Sequence, residues 1–104
     1  MIIEPIRWKE VEPLLLQDDC LIVDLRVRSK YEQGHIPNAC CIPYNQMNRQ
    51  IDRMRQYKNI ILYCERGNIS LLAARDLVRA GVSHAYSLYG GYDEYKRTRQ
   101  NVKV

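Results

Sequence analysis

The stretch Ile60-Ile61-Leu62-Tyr63-Cys64-Glu65-Arg66-Gly67-Asn68-Ile69-Ser70, followed by Leu71-Leu72-Ala73-Ala74-Arg75-Asp76-Leu77-Val78-Arg79-Ala80, decides how the chain is read. It opens on a short apolar run rich in β-branched residues, the pattern of a buried strand, and the run stops at a cysteine followed by polar residues and a glycine. Leu71, Ala74 and Val78 then recur at helical spacing, with Ser70 placed to act as N-cap and Gly81 as a stop. Cys64 is thereby set at the carboxyl end of a strand, facing the amino end of a helix. Unpaired N–H groups and the helix dipole favour negative charge there, which biases a thiol toward the thiolate, its nucleophilic form. Gly67, free to take a left-handed conformation, lets the loop curl its N–H groups inward around an anion. Two readings fit the stretch: a reactive thiol, or a small apolar side chain packed at a strand end, as most free cysteines are.

The flanking segments alternate in the same way. Cys20-Leu21-Ile22-Val23, ending at Asp24, has the continuous apolar look of a central parallel strand covered on both faces. If it runs parallel to residues 60–63, Asp24 and Cys64 share the sheet edge where open α/β folds place their ligands. A carboxylate at that point either caps loop N–H groups or pairs with Arg26. Upstream, residues 7–17 read as a helix with Val11, Leu14 and Leu15 on one side and Glu10 and Glu12 near its start, with Pro13 falling early enough to remove no bond. Residues 29–33 predict a short helix capped by Ser29 and stopped by Gly34. His35-Ile36-Pro37-Asn38-Ala39 is a stiff connection, and Cys40-Cys41-Ile42 a short strand ended by Pro43. Residues 44–57 predict a helix with Met47, Ile51 and Met54 on one face, and residues 84–88 a further short strand. Gly90-Gly91 breaks the chain before a polar, aromatic helix at residues 92–97. The alternation predicts one α/β domain on a mainly parallel sheet.

At 104 residues the chain is the length of a single domain, taken as residues 1–104. With 46% hydrophobic and 27% charged residues, and no apolar run near the roughly 20 residues that cross a bilayer, a soluble protein is expected and membrane insertion is not. The stretch from Met1 to Glu12 lacks a signal-peptide layout, so a cytoplasmic location is expected. Cys20, Cys40, Cys41 and Cys64 read as free thiols. There is no Cys-x-x-Cys, and His35 and His84 have no ligand spacing, so neither a metal nor an organic cofactor is expected. The net charge of +4, with a local cluster at Lys96, Arg97, Arg99 and Lys103, suits small anions or acidic partners. No aromatic-basic motif accompanies it, and no nucleic acid partner is expected. Neither a Gly-x-Gly-x-x-Gly nor a phosphate loop is present.

Taken together, Asp24-Leu25-Arg26, Tyr31-Glu32-x-Gly34-His35-Ile36-Pro37-x-Ala39, Ile42-Pro43, Tyr63-Cys64-x-x-Gly67-Asn68-x-Ser70-x-x-Ala73-Ala74, Gly81 and Leu88-x-Gly90-Gly91 resemble the rhodanese-like sulfurtransferase domains in their single-domain form. The resemblance implies a three-layer α/β/α domain around a five-stranded, mostly parallel sheet. It also implies an activity, in which Cys64 takes a sulfane sulfur from thiosulfate, a persulfide or a polysulfide and passes it to cyanide, a small thiol or a protein thiol. On that reading Cys64 is catalytic, Glu65, Arg66, Gly67, Asn68, Ile69 and Ser70 bind substrate, and Asp24, Arg26 and His35 support the site. His35 is expected to fix the turn before Ile36-Pro37, and Gly90-Gly91 to approach the active loop closely. Arg66 is the candidate for docking an anionic donor, with Glu65 opposing it. Many relatives carry a basic residue after the cysteine and an arginine before the final Ser or Thr; here Glu65 and Ile69 stand there. The loop side chains sum to zero formal charge, so thiosulfate is expected to bind poorly beside a neutral persulfide or a protein-bound donor. The related phosphatases use a loop one residue longer, closed by an arginine absent here at Ile69 and Ser70, which disfavours phosphoryl transfer. The rival reading is a noncatalytic anion- or protein-binding regulatory module with Cys64 incidental. A monomer or weak dimer is expected.

Overall fold

In the computed structural model, which describes residues 3–17 and 19–101, the four apolar runs form four parallel strands: β1 (Cys20–Asp24), β2 (Cys40–Cys41), β3 (Asn59–Tyr63) and β4 (His84–Ser87). Their order is β2-β1-β3-β4, with Asp24 level with Tyr63 on one side and with Cys41 on the other. The helices are α1 (Trp8–Leu15), α2 (Arg28–Gln33), α3 (Ile51–Met54), α4 (Asn68–Arg79) and α5 (Gly91–Asn101). Met1 and Lys103, both used in the sequence reading, lie outside the described residues.

Side chains alternate across a strand, and this divides the core in two. Val23, Ile60 and Leu62 pack with Met47, Met54, Ala73, Ala74 and Leu77, which fastens α3 and α4 to one face. Ile22, Ile61 and Tyr63 pack with Val11, Ile36, Leu88 and Tyr95, which fastens α1 and α5 to the other. Trp8 meets the Tyr95 ring edge-on at 4.8 Å, closing that layer. Every residue of β3 is buried, as a strand covered on both faces must be.

Among the described residues the expected fifth strand is not formed. Its place beside β4 is taken by the single bridge Ile6–Leu88, in which the Ile6 N–H donates to the Ser87 carbonyl (2.9 Å) and the Tyr89 N–H to the Ile6 carbonyl (2.7 Å). Pro5 precedes it without an N–H to donate, which works against continuing the ladder.

Several boundaries also differ from the sequence reading. Helix α4 begins at Asn68 with Gly67 as its left-handed cap (φ 99°), so Ser70 lies inside the first turn and is not the N-cap. Helix α2 begins at Arg28 after Val27, one residue before the proposed Ser29 cap. Pro13 is the sixth residue of α1, past the first turn; the helix forgoes one bond there, to the carbonyl of exposed Lys9. Residues 44–57 split into a 3₁₀ turn (Tyr44–Gln50) and α3; the first half is rich in Asn and Gln and buries only Met47. Helix α5 runs beyond residue 97 to Asn101.

Candidate active site

Parallel pairing brings the ends of β1 and β3 level, so Asp24 and Cys64 emerge on one edge of the sheet. Immediately after β3 the chain turns back, and two N–H groups point at the Cys64 sulfur: that of Gly67 at 3.1 Å and that of Ser70 at 3.3 Å. The positive φ of Gly67 makes the turn possible, and the Ser70 N–H belongs to the first turn of α4, where no intrahelical acceptor is available. Sulfur therefore takes the place of a helix-capping anion. Of the amides in residues 65–70, these two reach it.

The Ser70 hydroxyl sits 3.6 Å from Cys64 Sγ, 3.3 Å from the Gly67 carbonyl and 2.7 Å from the Ser87 hydroxyl. Both serines are fully buried, and this pair satisfies them. Ser87 at the end of β4 was missed by the sequence reading, although a polar residue closing a strand on the same edge as Asp24 is the signal that marks it.

The loop is fastened from the other side by the first amides of α5. The Tyr92 N–H donates to the Cys64 carbonyl (2.8 Å) and the Asp93 N–H to the Glu65 carbonyl (3.0 Å). Gly91 passes so close that a Cβ there would stand 2.5 Å from the Cys64 carbonyl oxygen and 2.7 Å from the Glu65 carbonyl carbon. The Gly90-Gly91 pair is thus the close approach between the last helix and the cysteine loop.

Beneath the loop, Arg26 gathers the surrounding chain. Its guanidinium and backbone N–H hold the fully buried Asp24 carboxylate (Nη2 to Oδ2, 2.8 Å; N to Oδ1, 2.9 Å), and it also reaches the Gly34 carbonyl and Glu65 Oε1 (3.3 Å). It lies over the Tyr92 ring at 4.2 Å. Burial opposes the guanidinium charge, but the Asp24 carboxylate outweighs that and holds Arg26 above its ordinary range. Burial, then the neighbouring Asp24, push the Tyr63 phenol up as well, while its oxygen accepts the Ile36 N–H at 3.0 Å. His35 is exposed, stacks on Tyr31 at 3.8 Å, and its Nδ1 lies 2.9 Å from the Tyr31 carbonyl, within the turn before Ile36-Pro37.

The two charged side chains of the loop diverge. Glu65 turns toward Arg26 and Lys30 (3.6 Å), and Arg66, 81% exposed, pairs with Asp93 at 3.4 Å. Asn68 and Ile69 are exposed. Sequence proximity suggested that Glu65 and Arg66 oppose each other; the partners that separate them, Lys30 and Asp93, lie too far along the chain for a local pattern to reveal. A cleft of about 630 Å³ runs along the outer side of the loop, lined among others by Arg66, Gly67, Asn68 and Arg97. A smaller recess of about 180 Å³ lies on the Glu65 side, between Arg26, Lys30, Tyr92 and Lys96. Cys64 itself is 5% exposed.

The remaining thiols are elsewhere. Cys20 begins β1 at the opposite edge of the sheet, and Cys40 and Cys41 lie in β2, with β1 between them and β3. Burial pushes the Cys20 and Cys41 thiols up. Among the described residues no three His, Cys, Asp or Glu side chains converge as a metal site, and no helix is long and apolar enough to cross a membrane.

Compared with known proteins, residues 8–98 match the family model for the rhodanese-like domain. The chain is 30% identical over 96 residues to the thiosulfate sulfurtransferase GlpE of Coxiella burnetii, covering 92% of this chain and 90% of that protein. It is likewise 30% identical over 100 residues to a tRNA uridine(34) hydroxylase of Photorhabdus laumondii, but there the match covers 28% of the relative. In three dimensions it is similar to a human single-domain sulfurtransferase, with a TM-score of 0.73 at 20% identity over 89% of this chain and 95% of that one.

Proposed function

The chain belongs to the rhodanese-like domain family, and from that premise we propose that it is a cytoplasmic sulfurtransferase working through a persulfide on Cys64. The observation that carries the reading is the pair of N–H groups, from Gly67 and Ser70, aimed at the Cys64 sulfur at 3.1 and 3.3 Å. Donors so placed stabilise negative charge on sulfur without needing to reorganise. Cys64, its proton passed to water, attacks the sulfane sulfur of a donor as the thiolate; the donor's S–S bond breaks and its electron pair leaves with the donor. Where the donor is a neutral persulfide, the proton on its sulfane sulfur goes with the departing thiolate. The resulting Cys64 persulfide carries its charge on the terminal sulfur. A thiol acceptor, as thiolate, attacks that sulfur, and the electron pair of the breaking bond returns to Cys64.

Glu65 and Arg66 bear on the choice of donor. With Arg66 already paired to Asp93 and the Glu65 carboxylate beside the loop, a dianion such as thiosulfate gains little, and a neutral or protein-bound persulfide is the preferred donor. Neither metal nor organic cofactor enters the cycle, and the protein acts as a monomer or weak dimer. The burial of Cys64, at 5% exposure, favours a second reading, a noncatalytic module in which the loop holds an anion or a peptide.

Intact mass separates the two. Incubation with thiosulfate or a polysulfide is expected to add the mass of one sulfur atom, removed by cyanide or dithiothreitol and absent in Cys64→Ser. No adduct from any donor selects the noncatalytic module.

A further inference from the structure

Among the described residues, the large apolar side chains left exposed are Leu16, Val27, Tyr44, Ile69, Leu72 and Tyr89. All but Leu16 stand on segments that leave the carboxyl ends of the strands: Val27 three residues beyond β1, Tyr44 three beyond β2, Ile69 and Leu72 early in α4 beyond β3, and Tyr89 two beyond β4. The segments touch. The Tyr44 N–H donates to the Leu25 carbonyl (3.0 Å), and its hydroxyl to Asp76 (3.1 Å), one helical turn on from Leu72. Neighbouring strands are about 4.8 Å apart, so four strand ends span roughly 15 Å, the width of a docking patch. Single exposed apolar residues need no explanation, but their gathering on the edge that carries the reactive cysteine does.

Charge specifies what the patch fits. Of the carboxylates on this edge, Asp24 pairs with Arg26, Glu65 with Arg26 and Lys30, Asp93 with Arg66 and Glu94 with Arg97, whereas Asp76 accepts only the neutral Tyr44 hydroxyl and the exposed Glu32 of α2 has no ion pair among the described residues. Arg28, Arg75 and Lys96 have no ion pair among the described residues, and Arg7 lies over the Tyr89 ring at 4.1 Å. Against Asp76 and Glu32 stand Arg7, Arg28, Arg75 and Lys96, so the balance of unpaired charge around the apolar patch is positive.

We propose that this edge docks a protein acceptor whose cysteine lies in a segment of apolar and acidic residues. The proposal rests on the persulfide reading above and names the partner of that same site. A small thiol has no use for apolar contacts spread over four strand ends; a protein segment does. On docking, the partner's thiolate attacks the terminal sulfur of the Cys64 persulfide. The Cys64–sulfur bond breaks with its electron pair returning to Cys64, and the partner leaves as the persulfide. No oxidant or reductant is consumed.

The test uses persulfidated protein and two short synthetic peptides, each with one cysteine among leucines, flanked in one by aspartate and glutamate and in the other by lysine. The acidic peptide is expected to take sulfur at least about tenfold faster than the basic one, with the advantage shrinking as salt is added. The double variant Val27→Glu, Leu72→Glu is expected to lower that rate about tenfold while transfer to dithiothreitol is unchanged. Equal rates for the two peptides, or a double variant without effect, overturns the proposal. A second arm measures fluorescence anisotropy of a labelled acidic peptide with serine in place of its cysteine, so that docking is read without transfer. Binding that the double variant loses supports the docking face even if Cys64 takes up no sulfur, whereas a failed persulfide sinks only the catalytic reading. Absence of binding, or tighter binding of a single-stranded oligonucleotide than of the peptide, overturns the docking face.

Discussion

The hydroxyls of Ser70 and Ser87 meet at 2.7 Å with no exposure to water, that of Ser70 standing 3.6 Å from the Cys64 sulfur. Truncating Ser70 strands the Ser87 hydroxyl in a buried site, which costs about 1–3 kcal/mol; truncating Ser87 costs less, because the Ser70 hydroxyl keeps the Gly67 carbonyl, and truncating both removes donor and acceptor together. Ser70→Ala and Ser87→Ala are therefore each expected to lower the urea midpoint, and the double variant to lose less than the sum. Because the Ser70 N–H remains in all three, the sulfur adduct on Cys64 should still form. Tyr63 provides a second check at this scale. Burial and Asp24 raise its phenol in the folded state, so above pH ~10, the ordinary tyrosine value, the unfolded chain gives up a proton that the folded chain retains. The unfolded state then binds fewer protons, and stability falls as pH rises. Its contribution is complete below pH ~10 and is lost beyond, so urea midpoints should decline on the alkaline side. Tyr63→Phe should flatten that decline, from a lower starting stability because the Ile36 N–H loses its acceptor.

At the scale of elements, the cysteine loop is shaped by the helix before which it lies and held by the one that follows β4. Gly91 is where α5 and the loop meet: with φ 64° and main chain within 2.7 Å of a would-be Cβ, it has no room for a side chain and no backbone that can give way cheaply. Gly91→Ala is expected to separate the Tyr92 and Asp93 amides from the Cys64 and Glu65 carbonyls. Hydrogen exchange at those two amides should quicken, and the rate of sulfur uptake should fall at least about tenfold, since misplacement by about an ångström is enough to do so. Unchanged exchange would show that α5 does not hold the loop. The same elements show what a sequence makes legible. The strands were readable because β-branched apolar runs in β1 and β3 have one stable use, burial on both faces, and the cysteine loop because it falls between such a run and an amphipathic helix. The start of α4 was not. Local rules favour Ser70 as a cap, but Gly67 makes the turn and the serine hydroxyl instead bonds Ser87, seventeen residues away. Glu65 was similarly opaque, its partner Arg26 standing thirty-nine residues back.

Across the whole molecule, parallel order places all four strand ends on one edge, so the segments that leave them build the site together while the opposite edge carries none of it. Such a sheet must still close its sides. At the β4 side this rests on Ile6, whose N–H and carbonyl bond Ser87 and Tyr89 and whose side chain packs against the α1 and α5 layer. Ser87 and Tyr89 flank Leu88, so this one bridge anchors the strand end that supports the Ser70 hydroxyl and leads into Gly90-Gly91. Ile6→Pro removes the donor to Ser87 and part of the apolar side chain. A loss of about 1–3 kcal/mol is expected, and each kcal/mol lowers the melting midpoint by roughly 4–8 °C in a domain of this size. With the bridge broken, β4 presents unpaired main-chain groups at an open edge, which pairs readily with another copy. Sedimentation of Ile6→Pro should therefore show concentration-dependent association greater than that of the parent chain. A variant that melts and sediments as the parent does would mean that the side of the sheet is closed by packing alone, and that the N-terminal segment adds nothing to the support of the cysteine loop.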